Sequence, residues 1–186
     1  MTKKKTTGRA RLADRKAAVQ AANQEAERRV GMREWQAAFK DALATDPMLV
    51  ERTDRKNDFY FIVPFSRESK VTARILLDGS TLQLKMVSGI EQGDRISPKG
   101  VTTFITREEA LDRLTALLKS DELQVKGRPT PAFRGLVWKP CKQSLSPQLP
   151  FYCFAVGKDQ RGGQREVYVR VDGKIFGALE DRKSGG

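Results

Sequence analysis

The sequence places one strongly capped amphipathic helix between two stretches of strand-like segments, and this order restricts the chain to a mixed fold. The helix begins at a capping box, in which the hydroxyl of Thr106 and the carboxylate of Glu109 satisfy two otherwise unpaired backbone amides. The pattern ends near Lys119, and its apolar residues recur at helical spacing: Ala110, Leu111, Leu114, Leu117 and Leu118. A helix with one apolar face packs on one face of a sheet, so the sequence predicts an α+β protein with antiparallel meanders.

The strands before this helix belong to a predicted unit of meander plus helix, residues 46–125. Residues 59–65 are aromatic and β-branched, and Pro64 within them predicts an edge strand or a strand end. Two further runs flank Asp78 and Gly79, a dipeptide typical of a tight hairpin. The second run predicts a strand with one dry face, on which lie Leu82, Leu84 and Met86.

After the helix, residues 126–180 predict a second antiparallel β unit. In the strand pattern that starts at residue 166, three valines alternate with Tyr168 and Arg170, and Asp172 with Gly173 then turns the chain. The pattern leaves open whether this unit shares one core with residues 46–125 or forms a separate domain. Residues 181–186 are predicted to be a disordered tail.

Residues 12–45, at the other end of the chain, predict a helical segment interrupted by Gly31. The first helix has few large apolar residues, which predicts weak anchoring. The second has an apolar stripe that includes Trp35 and Phe39, and we expect it to stop before Pro47, because a residue preceding proline avoids the helical conformation. This stripe docks either on the protein's own sheet or on a partner protein.

Charge is distributed unevenly along the 186 residues, with 35 basic and 23 acidic side chains and a net charge of +12. Residues 1–45 have a net charge of +6, residues 46–125 of −1, and residues 126–186 of +7. Such basic flanks are typical of proteins that bind a polyanion, since cations that neutralise phosphates release counterions. The alternative is a surface that is basic only for solubility.

Composition excludes most catalytic and metal chemistry. The sequence has no histidine, the usual general base at neutral pH, and only two cysteines, too few for a four-thiolate zinc site. We found no phosphate-binding glycine loop and no convincing pair of carboxylates for Mg²⁺. We therefore expect no enzyme activity, no catalytic residues, no cofactor and no metal. Without an export signal, we expect a cytoplasmic protein in which Cys141 and Cys153 are reduced.

The candidate nucleic-acid contacts lie in two places. One is a disordered basic arm, residues 1–11, and the other is a basic loop with the strand that follows it, where Tyr168 is predicted to stack on a base while arginine holds a phosphate. Alternatively, Tyr168 only covers the sheet rim. The predicted binding residues are Lys3, Lys4, Lys5, Arg9, Arg11, Lys158, Arg161, Arg165, Tyr168 and Arg170.

Two functions follow from these patterns. The first is a non-enzymatic protein that binds nucleic acid largely without sequence preference, because no sequence-reading motif is present. The second is a structural or assembly protein, for example a phage or mobile-element component, which docks on a partner protein through Trp35 and Phe39. Exposure of the apolar stripe separates these two predictions, because a buried stripe is not available to a partner.

Overall fold

The computed structural model describes residues 12–89, 103–120, 130–158 and 163–181. These residues form three helices and nine strands. The helices are α1 (Arg15–Val30), α2 (Arg33–Phe39) and α3 (Arg107–Lys119). The strands are β1 (Leu43–Ala44), β2 (Met48–Arg52), β3 (Phe59–Arg67), β4 (Lys70–Asp78), β5 (Leu84–Gly89), β6 (Ala132–Trp138), β7 (Phe151–Lys158), β8 (Gln164–Arg170) and β9 (Ile175–Phe176).

All nine strands belong to one sheet, in the order β5-β4-β3-β2-β6-β7-β8-β9, with β1 beside β3. Neighbouring strands are antiparallel except β2 and β6, which run parallel and join the two meanders. The predicted α+β class with mostly antiparallel strands is confirmed. The two β-rich parts, whose relationship the sequence left open, share a continuous sheet.

The helices lie on opposite faces of this sheet. Residues paired across a ladder point to the same face, and the register places Val50, Tyr60, Leu136 and Tyr152 together. Tyr152 belongs to the core cluster that α3 covers, whereas Phe61, on the reverse face, belongs to the cluster under α1 and α2. Each half of the sheet therefore has its helical cover on a different side.

Helix α1 packs through alanines, although the sequence predicted weak anchoring. Ala18, Ala22 and Ala26 recur every fourth residue and are buried against the sheet. Small side chains let the helix backbone approach closely, so the helix is held without large apolar residues. The side chain of Asp14 caps its first turn by accepting a hydrogen bond from the Ala17 amide at 2.7 Å.

Helix α2 is shorter than predicted, and the expected end at Pro47 is wrong. The helix ends at Phe39, and Asp41 adopts a positive φ of 58° that redirects the chain. Leu43 and Ala44 then pair with β3 as a short strand, which leaves the Leu43 side chain 76% exposed. Leu43 is therefore not part of the apolar face that packs on the sheet.

Pro64 lies inside β3, which has partners on both sides, so the edge-strand prediction is wrong. The Pro64 carbonyl accepts a hydrogen bond from the Thr45 amide. The nitrogen and the carbonyl oxygen of one residue in an antiparallel strand point toward the same neighbouring strand, so the ring nitrogen of Pro64 also faces the segment that contains Thr45. That neighbour is irregular between β1 and β2, at residues 45–47. No ladder bond is lost there, and this makes the proline acceptable.

The hairpin predicted at Asp78 and Gly79 is confirmed, but its second strand differs from the predicted alternation. Strand β5 begins only at Leu84, and a register shift lies opposite Leu76 and Leu77. Leu82 adopts a positive φ in the connection and packs on the core cluster under α1 and α2. Leu84 is 41% exposed. The irregular connection therefore breaks the period of two that the sequence pattern indicated.

Helix α3 and the loop between β6 and β7 close the remaining core. The capping box at Thr106 and Glu109 is present as predicted, with both reciprocal hydrogen bonds. The loop crosses the face of the first meander that α1 and α2 leave open. There Pro147 accepts a hydrogen bond from the Tyr60 hydroxyl at 2.7 Å, and Gln148 is bonded to Ser88.

Candidate nucleic-acid interface

Several predicted binding residues lie outside the described residues. These are the five cations of the N-terminal arm and Arg161, in residues 1–11 and 159–162, respectively. Lys158 is exposed at the end of β7, and Arg165 is half-buried near the start of β8. The hairpin formed by β7 and β8 thus presents the described part of the predicted basic loop.

Tyr168 and Arg170 share one face of β8, as predicted, but Arg170 is not open to solvent. It is 3% exposed, and its guanidinium donates two hydrogen bonds to the Asp172 carboxylate and one to the Gln143 carbonyl. Burial by itself would raise the pKa of Asp172, but the bonds from Arg170 outweigh it and hold that pKa below its ordinary value. Arg170 is held by these internal contacts, so we do not include it in the candidate interface.

Tyr168 is half-buried and also makes internal contacts. Its hydroxyl donates to Glu166 at 2.6 Å, and its ring stands edge-on to Phe151. Burial, together with the neighbouring Glu166 carboxylate, raises its pKa. These contacts match the alternative in which Tyr168 covers the sheet rim, and its ring and hydroxyl are both used inside the protein.

Trp35 and Phe39 pack on the protein's own sheet. Phe39 is 5% exposed and meets Phe65 edge-on, with 5.2 Å between ring centroids. The ring centroids of Trp35 and Phe39 are 6.1 Å apart, and Trp35 packs on the same core cluster. Of the two docking partners that the sequence left open for this stripe, the structure shows the sheet.

An exposed aromatic ring in contact with a cation lies elsewhere, on β6 beside the β7–β8 hairpin. Phe133 is 42% exposed, and the Arg107 guanidinium carbon lies 5.7 Å from its ring centroid. Arg134 donates a hydrogen bond to Gln164, which is paired in register with Lys158. We call these five residues, Arg107, Phe133, Arg134, Lys158 and Gln164, the hairpin-base patch.

The local fold explains how the patch forms. A β-bulge between Phe133 and Gly135 leaves Arg134 without a partner residue in β7, and Gly135 adopts a φ of 154° that favours glycine. The ring of Phe133 lies over Phe154, while Arg134 reaches Gln164 in β8. The capping box before Arg107 fixes the start of α3 and so sets that arginine beside the ring.

The patch holds three cations, Arg107, Arg134 and Lys158, and the segment that contains the last two has no acidic residue. Residues 130–158 carry four basic side chains and no acidic one: Arg134, Lys139, Lys142 and Lys158. Acidic side chains also lie near the patch: Glu166 and Arg134 both act electrostatically on Cys153, and Glu108 accepts from Arg107 in a solvent-exposed contact. Such a contact contributes little and is screened by salt, so it leaves Arg107 available to a phosphate.

Three cations of the first meander, Arg52, Arg55 and Lys85, are by contrast paired with acids. Arg52 donates two hydrogen bonds to the Asp54 carboxylate, and its guanidinium carbon lies 5.0 Å from the Trp138 ring centroid. The hydrogen bond from Arg52 is the main reason why the pKa of Asp54 is lowered. The rest of this network consists of Arg55, Asp58, Asp78 and Lys85.

Neither a metal site nor a reactive thiol is evident in the described part of the chain. No group of three or more potential ligand side chains there could hold a metal ion. Cys141 and Cys153 are both buried, and neither forms a disulfide. Burial and the nearby Glu166 carboxylate raise the pKa of Cys153 to about 12, so its thiolate is scarce at neutral pH. Among the described helices, none is long and apolar enough to cross a membrane.

Comparisons with known proteins identify no family. No family model matches the chain, and no curated protein matches it. One solved structure, a candidate lipoprotein from Clostridium difficile 630, aligns with 76% of this chain and 84% of its own at 15% identity and a TM-score of 0.24. A likeness this weak carries no argument about fold or function.

Proposed function

We propose that the protein is a non-enzymatic accessory protein that binds single-stranded nucleic acid largely without sequence preference. The observation that carries this proposal is the 42% exposed ring of Phe133, which has the Arg107 guanidinium over it and Arg134 next to it along β6. An aromatic ring stacks on any base because every base has a π-face, and flanking arginines hold the phosphates on either side. Lys158 extends the same basic surface along the hairpin.

The phosphate contacts supply affinity and the ring supplies the preference for unpaired bases. A base inside a duplex is already stacked on its neighbours, so it gains little from Phe133. The basic arm, residues 1–11, adds further phosphate contacts in this proposal and no choice of sequence. We place the activity in the cytoplasm, where the two buried thiols remain reduced.

The assembly alternative depended on an exposed stripe at Trp35 and Phe39. Because these rings pack on the protein's own sheet, no observation now favours that docking mode. We therefore carry forward the nucleic-acid proposal.

The test is fluorescence anisotropy of nuclease-treated protein with labelled single-stranded and duplex oligonucleotides at two salt concentrations. Wild-type protein should bind the single strand more tightly, and the affinity should fall with salt. Phe133→Leu keeps an apolar side chain over Phe154 but removes the ring, and it should weaken single-strand binding by about tenfold, since one stacked base contributes roughly 1–3 kcal/mol. Unchanged binding by this variant would refute the stacking role.

A matched pair of charge variants separates the patch from net charge. Arg134→Gln and Arg28→Gln each remove one cation, but Arg28 lies on α1, in the other half of the molecule. Arg134→Gln should lower the salt slope by about 0.7, and Arg28→Gln should change it little. Equal effects would indicate that charge acts without a defined site, and absence of binding at low salt would overturn the function.

The contribution of the arm has its own variant. Replacing Lys3, Lys4 and Lys5 together by glutamine should weaken binding at low salt and leave the single-strand preference unchanged, because the arm contacts only phosphates. An unchanged isotherm would remove the arm from the proposal without affecting the hairpin-base patch.

A further inference from the structure

The chain folds back on itself at its C-terminal end, along residues 177–181, which we call the C-terminal strap. The backbone amide of Lys142 donates to the Glu180 carbonyl at 2.9 Å, and the Glu180 amide donates to the Gln143 side chain at 2.9 Å. Leu179 packs on the core cluster that both halves of the sheet share, which includes Val50, Tyr60 and Phe151. These contacts hold the strap against the loop that follows β6.

The two acidic side chains of the strap lie on two lysines. Glu180 accepts from the Lys142 ammonium at 2.6 Å, and Asp181 accepts from the Lys139 ammonium at 2.8 Å. The hydrogen bond from Lys142 lowers the pKa of Glu180, so this carboxylate stays charged at neutral pH. Both lysines belong to the acid-free segment 130–158, and the strap therefore neutralises half of its four cations.

Both ion pairs are of the weak, exposed kind. The Glu180 and Asp181 side chains are 58% and 85% exposed, so water and salt compete for them directly. A carboxylate held at an ammonium by 2.6–2.8 Å contacts also presents the same type of oxygen acceptor as a phosphate group. The strap carboxylates therefore bind Lys139 and Lys142 in a way that a phosphate group can replace.

A further cation lies next to this pair. Lys142 and Lys174 both line an open depression of about 280 Å³, together with Phe176 and the buried Arg170. Lys174 is exposed at the turn between β8 and β9. With the strap lifted, Lys139, Lys142 and Lys174 would form a set of three ammonium groups, whereas the strap supplies only two carboxylates.

We propose that the C-terminal strap is an internal competitor for a second phosphate-binding surface made by Lys139, Lys142 and Lys174. This inference rests on the proposed function, and its ligand is the backbone of the same single-stranded nucleic acid. A strand carries a phosphate on every nucleotide, so it engages all three cations at once and displaces the strap. Binding at this surface then requires release of Glu180 and Asp181, which reduces the affinity of the intact protein.

The test neutralises the strap in the full-length chain. Glu180→Gln with Asp181→Asn keeps the side-chain shapes and the backbone bonds but frees two lysines. This variant should bind a single-stranded oligonucleotide more tightly than wild type, with a salt slope steeper by about 1.4, which corresponds to two additional phosphate contacts. The matched control is Glu27→Gln with Glu34→Gln, which changes net charge equally on α1 and α2. It should produce a smaller gain.

A double-mutant cycle with Lys139→Gln and Lys142→Gln decides whether the gain acts through these lysines. In wild type the lysine substitutions should change binding little, and in the strap-neutral variant they should abolish the gain. A gain that persists without the lysines, or that equals the control, would overturn the competitor role while leaving the proposed function intact.

The same cycle in a Phe133→Leu background separates the two proposals. If neutralising Glu180 and Asp181 still tightens binding in the Phe133→Leu background while the single-strand preference is lost, the two surfaces act independently. If no variant of the cycle binds at low salt, both proposals are refuted.

Discussion

Val50 in β2 is paired in parallel register with Leu136 in β6, and this pairing joins the two antiparallel meanders into one sheet. Val50 is fully buried, and its core cluster takes residues from both halves, including Tyr60 from β3 and Phe151 from β7. The halves therefore share core packing as well as a ladder of hydrogen bonds, and they should lose their structure together.

Truncation at this junction should lower the stability of the whole molecule. We expect Val50→Ala to reduce the free energy of unfolding by about 2 kcal/mol, because it leaves a cavity between the halves. Leu43→Ala, at a side chain that is 76% exposed, should stay within about 0.5 kcal/mol of wild type. Equilibrium unfolding in urea, followed by far-ultraviolet circular dichroism, measures both values.

The two tryptophans report on cooperativity, since Trp35 lies in α2 and Trp138 lies at the end of β6. In Trp35→Phe protein, fluorescence follows Trp138 at the junction of the two halves, and in Trp138→Phe protein it follows Trp35 in the first half. Within each variant the fluorescence and circular dichroism midpoints should coincide. Separate midpoints would show that the halves unfold independently.

Two glycines should respond to alanine in opposite directions. A Cβ at Gly79 would lie 2.8 Å from the carbonyl oxygen and the Cβ of Phe59, so Gly79→Ala should cost about 1–3 kcal/mol. At Gly31 nothing lies within 4 Å and φ is −76°, which alanine adopts readily. Gly31→Ala should therefore be neutral or should stabilise the protein by about 0.5 kcal/mol, as thermal unfolding will show.

Acid should destabilise the hairpin through Asp78. Partial burial opposes ionisation of Asp78, but the amides of Ser80 and Thr81 and the Lys85 ammonium outweigh it and lower its pKa to about 2. A carboxyl whose pKa is lower in the folded state stabilises the fold above its unfolded pKa near 4, and this contribution disappears as the pH falls to about 2.

Asp78→Asn should therefore be less stable than wild type at pH 7 by about 1 kcal/mol, a value reduced for solvent screening, and about equally stable at pH 2. Asparagine can still accept hydrogen bonds from both amides, so only the charge is removed. Urea unfolding at the two pH values measures the difference. An offset that is the same at both would exclude the charge as its cause.

Both thiols should resist modification in the folded protein. Cys141 is fully buried, and Cys153 is 3% exposed with a pKa raised to about 12. At pH 8 we expect no reaction with Ellman's reagent in buffer and reaction of two thiols in concentrated guanidinium chloride. Rapid reaction of one thiol under native conditions would contradict the burial described above.

The candidate interface shows what a sequence pattern conveys about a site. Alternation along β8 correctly predicted that Tyr168 and Arg170 share a face, because the period of two is a property of any strand. Alternation does not report what covers that face, and both side chains turned out to make internal contacts. Phe133 and Arg134 were not predicted, because their placement depends on a bulge and on α3, which is distant in sequence.

Local chemistry in the sequence determined the α+β class, the capping box of α3, the hairpin at Asp78 and the absence of histidine chemistry. The capping box and the hairpin depend on residues within a few positions of one another, the class depends on the order of such local patterns, and the lack of histidine is a matter of composition, so the chain encodes all of them without reference to its fold. Tertiary structure alone decided the parallel pairing of Val50 with Leu136, the position of Pro64 inside the sheet, the alanine anchoring of α1 and the strap on Lys139 and Lys142. These depend on contacts between residues far apart in the chain, where register and packing select the partner and no short pattern records the choice.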